Sequence, residues 1–337
     1  MQKPKISVIV NCYNKKETIA NCINSVLNQK FDSFELIVVD DGSTDGSDKI
    51  ISKFLNDPRL KVYKIPHNGI SAAKNQGTRM ASGEIILFLD GDCELNQNSL
   101  TELYNSFTDP AVGCVGGELR ATNYANPMAK TIELIQNEVE RKWPFGANVA
   151  YRRIAFEQAG GFEERMEKGE DAELYLKVKK LGFKCVINPK VSAKTINPDS
   201  ILKFFKQRFG WGTGFAQLTE RHKETFTRSI KLCFITTALM IASLFLVIID
   251  VRLAAIPLAI FIWSILRRIP LAVSIAKRTE NRWHVLLIPP LQFLNAVAYF
   301  FGWIYWKTLE LAKKRVKLEA FTPVQIQFAT YQRYPTN

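Results

Sequence analysis

Apolar residues are distributed unevenly along this chain. Up to about residue 230, short apolar runs alternate with charged segments, whereas 232–306 is dominated by apolar runs. In the first part, Ile6–Val10, Phe34–Val39, Leu60–Ile65 and Ile85–Leu89 have the length of strands, and the second and fourth are apolar enough to be buried on both faces. Between them, Ile19, Cys22, Ile23, Val26 and Leu27 repeat at helical spacing, with Asn14 placed to cap that helix. Ile50, Ile51, Phe54 and Leu55 define a second helix, which Thr44 or Asp45 would cap. A third begins after Gly69, where Ser71, Ala72 and Ala73 allow close packing. Strand–helix alternation over the first hundred residues predicts an α/β fold with a mostly parallel sheet flanked by helices. Beyond it the pattern predicts a helix over Ser99–Phe107, a strand over Val112–Glu118 and an amphipathic helix over 126–142. A turn and strand over Phe145–Arg152 follow, then a helix from Glu170 carrying Leu174, Leu176, Val178 and Leu181.

Two of the buried strands run straight into acids: Phe34–Val39 into Asp40 and Asp41, and Ile85–Leu89 into Asp90-Gly91-Asp92. A solvated turn would account for one such cluster, since Asp and Gly are ordinary turn residues. Two clusters at the same edge of one parallel sheet point to a binding site, because open α/β sheets bind ligands at the carboxyl ends of their strands. Paired carboxylates there are costly unless a cation neutralises them, and a divalent ion carrying a diphosphate does so.

The net charge of +13 raises the possibility of nucleic acid, but no nucleic-acid motif accompanies it. Much of the basic excess flanks the apolar runs instead: Lys203, Lys206, Arg208, Arg221, Lys223, Arg228 and Lys231 before them, Arg267, Arg268, Lys277, Arg278 and Arg282 between them. That is the charge pattern of the cytoplasmic side of a membrane. The six cysteines are scattered without a Cys-x-x-Cys pair and read as small core residues, with Cys93 beside the acidic pair. His67, His222 and His284 lack metal-ligand spacing and read as incidental. The first apolar run, Ile6–Val10, is too short for a signal-peptide core, which puts the first domain in the cytoplasm.

The first 220 residues resemble family-2 glycosyltransferases with the GT-A fold. The resemblance rests on Val8-Ile-Val-Asn-Cys-Tyr-Asn14, Ser25-Val-Leu-Asn-Gln29, Val38-Val-Asp-Asp-Gly-Ser-Thr-Asp45, Asn68-Gly69 through Lys74-Asn-Gln-Gly77, and Phe88-Leu-Asp-Gly-Asp92, in that order. Asn11 stands where the family usually has Pro, and Lys74 where Arg is commoner, so a bidentate grip on phosphate is lost. The resemblance implies that Asp41 with Tyr13 and Glu17 holds the nucleotide base of a UDP- or GDP-sugar. It also implies that Lys74 serves ribose or diphosphate, that Asp90 lies near the ribose, and that Asp92 ligates Mg²⁺ or Mn²⁺. Phe145–Arg152, with Gly146 and Asn148, resembles the acceptor-side turn and strand. Glu170-Asp171 matches the family's Glu-Asp motif, which makes Asp171 the general base that takes the acceptor hydroxyl's proton in an inverting transfer. Acids in a first helical turn are also favoured by the helix dipole, which is the plainer account of Glu170, Asp171 and Glu173. Glu173 replaces the usual second Asp. In Phe204–Gly214, Gln207 and Trp211 match the processive pattern, but Gly210 takes the place of its Arg. Together with Arg208, this indicates an enzyme adding one sugar.

In the second part, Leu232–Ile249 has eighteen uncharged residues, enough to span a membrane. Leu253–Leu266 is shorter and continues past Arg267 and Arg268 to Ala276 if those side chains snorkel. Trp283–Trp306 is a third apolar stretch, which Pro289-Pro290 should break or kink. The expected organisation is a cytoplasmic catalytic domain over 1–228, a membrane region of two to three helices over 229–312, and a basic tail over 313–337. The expected activity is transfer of sugar from a nucleotide-sugar to a lipid-linked saccharide or a surface glycan at the inner-membrane surface. A polyprenyl-phosphate sugar synthase is the alternative, and a non-catalytic membrane scaffold with this fold stands further off.

Overall fold

The central sheet is laid down outward from one strand. In the computed structural model, which describes residues 3–138, 146–225, 228–277, 286–316 and 332–333, β1 (Ile6–Cys12) pairs in parallel with both β2 (Phe34–Asp41) and β4 (Ile85–Asp90). Strand β3 (Leu60–Ile65) extends the parallel set beyond β2. The chain thus moves from β1 to β3 in one direction and then returns to set β4 on the other side of β1. This makes the β1/β4 boundary a topological switch point, where such sheets open a ligand crevice. The register pairs Cys12 with Asp40 and Asn11 with Asp90, so both acidic clusters emerge at one edge, as their sequence positions predict.

These four strands form the expected parallel sheet, and the strands added after them make its other half mixed. Strand β7 (Asn148–Arg152) lies antiparallel to both β4 and β6 (Val112–Ala121), β8 (Lys184–Thr195) lies parallel to β6, and the short β5 (Glu94–Leu95) is antiparallel to β8. A two-residue strand, β9 (Gln332–Arg333), lies antiparallel to β3. Alternate residues of β1 and β4 enter different cores. Val8, Val10, Leu87 and Leu89 meet Ile19, Cys22, Ile23 and Val26 of the helix Ile19–Leu27 on one face. Ile9, Ile86 and Phe88 meet Tyr151, Phe156, Phe162 and Leu174 on the other. Each fully buried Ile or Leu contributes on the order of 1.5–3 kcal/mol, so the strand ends that carry the acids are held from both faces.

Several local expectations need correction. Asn14 does not cap its helix. It adopts a left-handed backbone (φ 52°) and its side-chain carbonyl accepts the Thr44 amide at 2.9 Å, while the helix starts after Thr18. The next helix, Ser47–Ile51, is entered through Gly46, and Asp45 accepts the amides of Ser47 and Lys16 instead of capping it. Both departures tie the loop after β1 to the loop after β2. The amphipathic helix is described over Pro127–Glu138, and 139–145 lie outside the described residues.

The chain divides into two compact units, one gathering Met1–Thr122 and Val139–Ile196, the other Asn123–Glu138 and Asn197–Val324. Within the second, Gly212 and Gly302 bring the helices Ile201–Arg221 and Ile288–Val316 together, since a Cβ on Gly302 would fall 2.1 Å from the Phe209 carbonyl and one on Gly212 2.4 Å from the Tyr299 carbonyl. Among the described residues the third apolar stretch is one helix from Ile288 onward, and Pro289 and Pro290 stand at its start. They sit in the first turn of Ile288–Val316, where a missing amide costs nothing. Trp283 and most of the basic tail over 313–337 lie outside the described residues. Ile230–Ile249 and Val251–Ala276 are helical segments long and apolar enough to cross a membrane, and many of their large apolar side chains are exposed, Ile248, Ile249 and Leu258 among them.

Candidate active site

At the end of β2, Asp41 is 3% exposed and works as a hub for the loop after β3. One oxygen accepts the Asn68 amide at 2.8 Å. The other accepts the Gly69 amide at 3.0 Å and the His67 ring at 2.9 Å. The His67 ring stacks on Tyr13 with centroids 4.0 Å apart and planes inclined by 16°. Metal-ligand spacing alone makes His67 look incidental, because its partners come from other strands. The structure sets it against Asp41 and Tyr13, two residues expected to meet the donor. Glu17 is exposed.

The end of β4 carries the second cluster. Gly91 lets the chain turn against β1: its amide bonds the Asn11 carbonyl at 3.1 Å, and a Cβ there would lie 2.9 Å from that oxygen. Asp92 is ion-paired with the Lys15 ammonium, a contact the sequence reading did not anticipate. Asp90 Oδ1 is buried and accepts no hydrogen bond, with the Lys74 ammonium 3.7 Å away. Burial raises the Asp90 carboxyl above its usual range against the pull of Lys74. Among the described residues no group of three or more His, Cys, Asp or Glu side chains forms a metal cage. A cation here would therefore draw on Asp92, with Asp90 beside it, and on oxygen ligands brought by its substrate. The unsatisfied Asp90 oxygen and the cation already drawn to Asp92 fit that arrangement, which suits Mg²⁺ or Mn²⁺ better than a full protein cage.

Lys74 links this cluster to the next. It is 1% exposed, with its ammonium 3.4 Å from Glu170 Oε1 and 3.4 Å from the Gly146 carbonyl. Burial alone would depress its pKa, but Asp90, Glu170 and Asp171 outweigh that and raise it, so the ammonium stays charged. Its charge is committed to the acids on both sides. Gly169 in the left-handed region (φ 83°) opens the helix Glu170–Lys180. Asp171, in its first turn, accepts the Gly146 amide at 2.9 Å through Oδ2, and a Cβ on Gly146 would fall 2.8 Å from that carboxylate. Tyr13, Asp41, Lys74, Asp90, Asp92, Gly146, Glu170 and Asp171 thus belong to one compact unit. Asn148 is fully buried at the start of β7, where its amide bonds the Val191 carbonyl at 3.2 Å, so its side chain ties strands together. Arg208 and Trp211 belong to the other unit, where the guanidinium lies 4.0 Å from the Trp211 ring centre.

Comparison with known proteins bears on the family and the fold. The family described as Glycosyl transferase family 2 matches residues 7–162, and Glycosyl transferase family group 2 matches residues 85–304. An N-acetylglucosaminyltransferase of Rhizobium sp. (strain N33) is 28% identical over 233 residues, covering 62% of this chain and 52% of that protein. The poly-beta-1,6-N-acetyl-D-glucosamine synthase of Staphylococcus epidermidis is 26% identical over 223 residues, covering 62% and 54%. The chain therefore spans about half the length of these curated relatives. Among solved structures, the mannosyltransferase PcManGT from Pyrobaculum calidifontis, in complex with GDP-Man and Mn²⁺, aligns over 90% of this chain and 88% of its own with a TM-score of 0.59. At 19% identity that likeness bears on the fold alone.

Proposed function

The chain belongs to glycosyl transferase family 2, with its GT-A fold, and on that premise we propose that the β1/β4 edge takes a UDP- or GDP-sugar and transfers the sugar, with inversion, to a hydroxyl of a lipid-linked saccharide or surface glycan. The observation that carries the reading is the Lys74 bridge. It joins Asp90, at the strand end suited to a donor, to Glu170, the immediate neighbour of Asp171. A donor at the first and a proton acceptor at the second is what a single-displacement transfer requires.

In this reading Tyr13, Asp41 and the loop after β3 form the nucleoside side, and Asp90 faces the ribose. A divalent cation on Asp92 would supply charge to the leaving diphosphate. Asp171 takes the proton from the acceptor hydroxyl, held in orientation by the Gly146 amide. Gly146 leaves room for that carboxylate, and Glu170 keeps Lys74 charged behind it. A glycan acceptor is favoured by the similarity to an N-acetylglucosaminyltransferase and to a poly-beta-1,6-N-acetyl-D-glucosamine synthase. The two apolar segments over 230–276 suit attachment to a membrane, with the basic residues before them on the cytoplasmic side. The domain division at about residue 228 and a multi-pass membrane region are part of the same proposal.

Titration of the full chain in detergent micelles with a panel of nucleotide-sugars tests the reading, with Mn²⁺ or with excess chelator. Micromolar to millimolar binding of one UDP- or GDP-sugar that weakens in chelator is expected. Failure to bind any nucleotide-sugar under either condition would overturn it.

A further inference from the structure

Asp41, the residue that the family resemblance assigns to the nucleotide base, is shut in. It is 3% exposed, and its two oxygens already take hydrogen bonds from the Asn68 amide, the Gly69 amide and the His67 ring. His67 faces outward instead, with its side chain 52% exposed. Its Nδ1 lies 2.9 Å from the Asp41 carboxylate and 3.1 Å from the Asp41 backbone carbonyl. Both neighbours only accept, so Nδ1 carries the proton, and in the neutral ring the lone pair is on Nε2. The ring plane is set by the stack on Tyr13, itself 43% exposed. The backbone beneath is fitted to this arrangement: Gly42, at φ 73°, leaves the His67 amide a space that a Cβ would enter to 2.8 Å.

We propose that His67, and not Asp41, reads the base of the donor, with Asp41 acting as the positioning residue that fixes the imidazole tautomer. The inference rests on the donor-binding reading above. Nε2 accepts a hydrogen bond from a ring N–H, and uracil and guanine both present one at their pairing edge, next to a carbonyl. Cytosine and adenine present a bare ring nitrogen there, a second acceptor facing the Nε2 lone pair. The site therefore selects UDP- or GDP-linked sugars against CDP- and ADP-linked ones. The Tyr13–His67 stack supplies an aromatic surface that is indifferent to which base it meets.

Calorimetric titration of the purified full chain with UDP, GDP, CDP and ADP tests this on wild type, His67→Phe and His67→Gln, with the melting temperature of each preparation as the check on folding. Wild type should favour UDP or GDP about tenfold over CDP and ADP, and the UDP and GDP arms show which ring size the site takes. His67→Phe keeps a stacking ring but no acceptor. It should lose about three- to tenfold for the favoured nucleotide and leave the weak ones unchanged. His67→Gln, whose carbonyl accepts, should keep part of the preference. If the preference survives intact in a folded His67→Phe, His67 does not read the base, although the glycosyltransferase reading stands. If wild type binds none of the four nucleotides, both fall together.

Discussion

The ammonium of Lys74 is buried 3.4 Å from the carboxylate of Glu170, a residue ninety-six positions further along the chain. With Asp90 at 3.7 Å on its other side, Lys74 is the charge that lets two acidic elements share one sheet edge. Removing one partner of a buried ion pair costs about 3–5 kcal/mol, because the other charge is left in low dielectric. Lys74→Met should therefore lower the melting temperature clearly. A melting curve that matches wild type would show that the acids are solvated and that the bridge is incidental.

Glu35 offers a stability test away from the site. Burial works to raise its pKa, but hydrogen bonds from Lys61, Ser82 and Ser7 outweigh that and hold it down at about 2. In the unfolded chain a Glu titrates near 4.3. Its contribution, on the order of 3 kcal/mol, is thus complete above about pH 4.3 and is lost as pH falls through about 2. Glu35→Gln should lower the melting temperature at pH 7 and flatten its decline between pH 5 and 2. Parallel wild-type and mutant profiles across that window would contradict the assignment.

Asp92 is the test of the cation. Its carboxylate draws the Lys15 ammonium in the free chain, and its side chain is 31% exposed, so losing the charge should spare the fold. Asp92→Asn should abolish nucleotide-dependent Mn²⁺ binding, read by electron paramagnetic resonance, with the melting temperature kept within a few degrees. Mn²⁺ binding equal to wild type would take Asp92 out of the cation site.

Much of this site was legible from residue order, because buried strands that end in acids leave a strong pattern and the parallel register then puts those acids side by side. That pattern, together with the family motifs, points to Asp41, Asp90, Asp92 and Asp171. The rest depends on contacts between distant segments, which residue order does not display. Strand β8 has only a three-residue apolar run, Cys185–Ile187, before Asn188, Pro189 and Lys190 interrupt it. It is a strand because β6 supplies a partner, with a register shift between Gly116 and Glu118. His67 matters only once β3 sets it against Asp41 and Tyr13, and Lys15 only once β1 and β4 are neighbours. The place of Pro289 and Pro290 at a helix start is not visible from the apolar pattern alone, which predicts a break there.

The most direct test of the whole account is turnover by Asp171→Asn, measured beside donor affinity on one preparation of the full chain. The Asn carbonyl can still accept the Gly146 amide now held at 2.9 Å by Oδ2, so geometry and folding should persist. It cannot take a proton. Since a general base typically contributes about a hundred- to ten-thousand-fold, sugar transfer should fall by that factor while nucleotide-sugar binding stays within about twofold. Near-normal turnover would remove Asp171 from the chemistry and leave it as a first-turn acid of its helix. The acceptor would then be one that arrives already ionised, such as a polyprenyl phosphate.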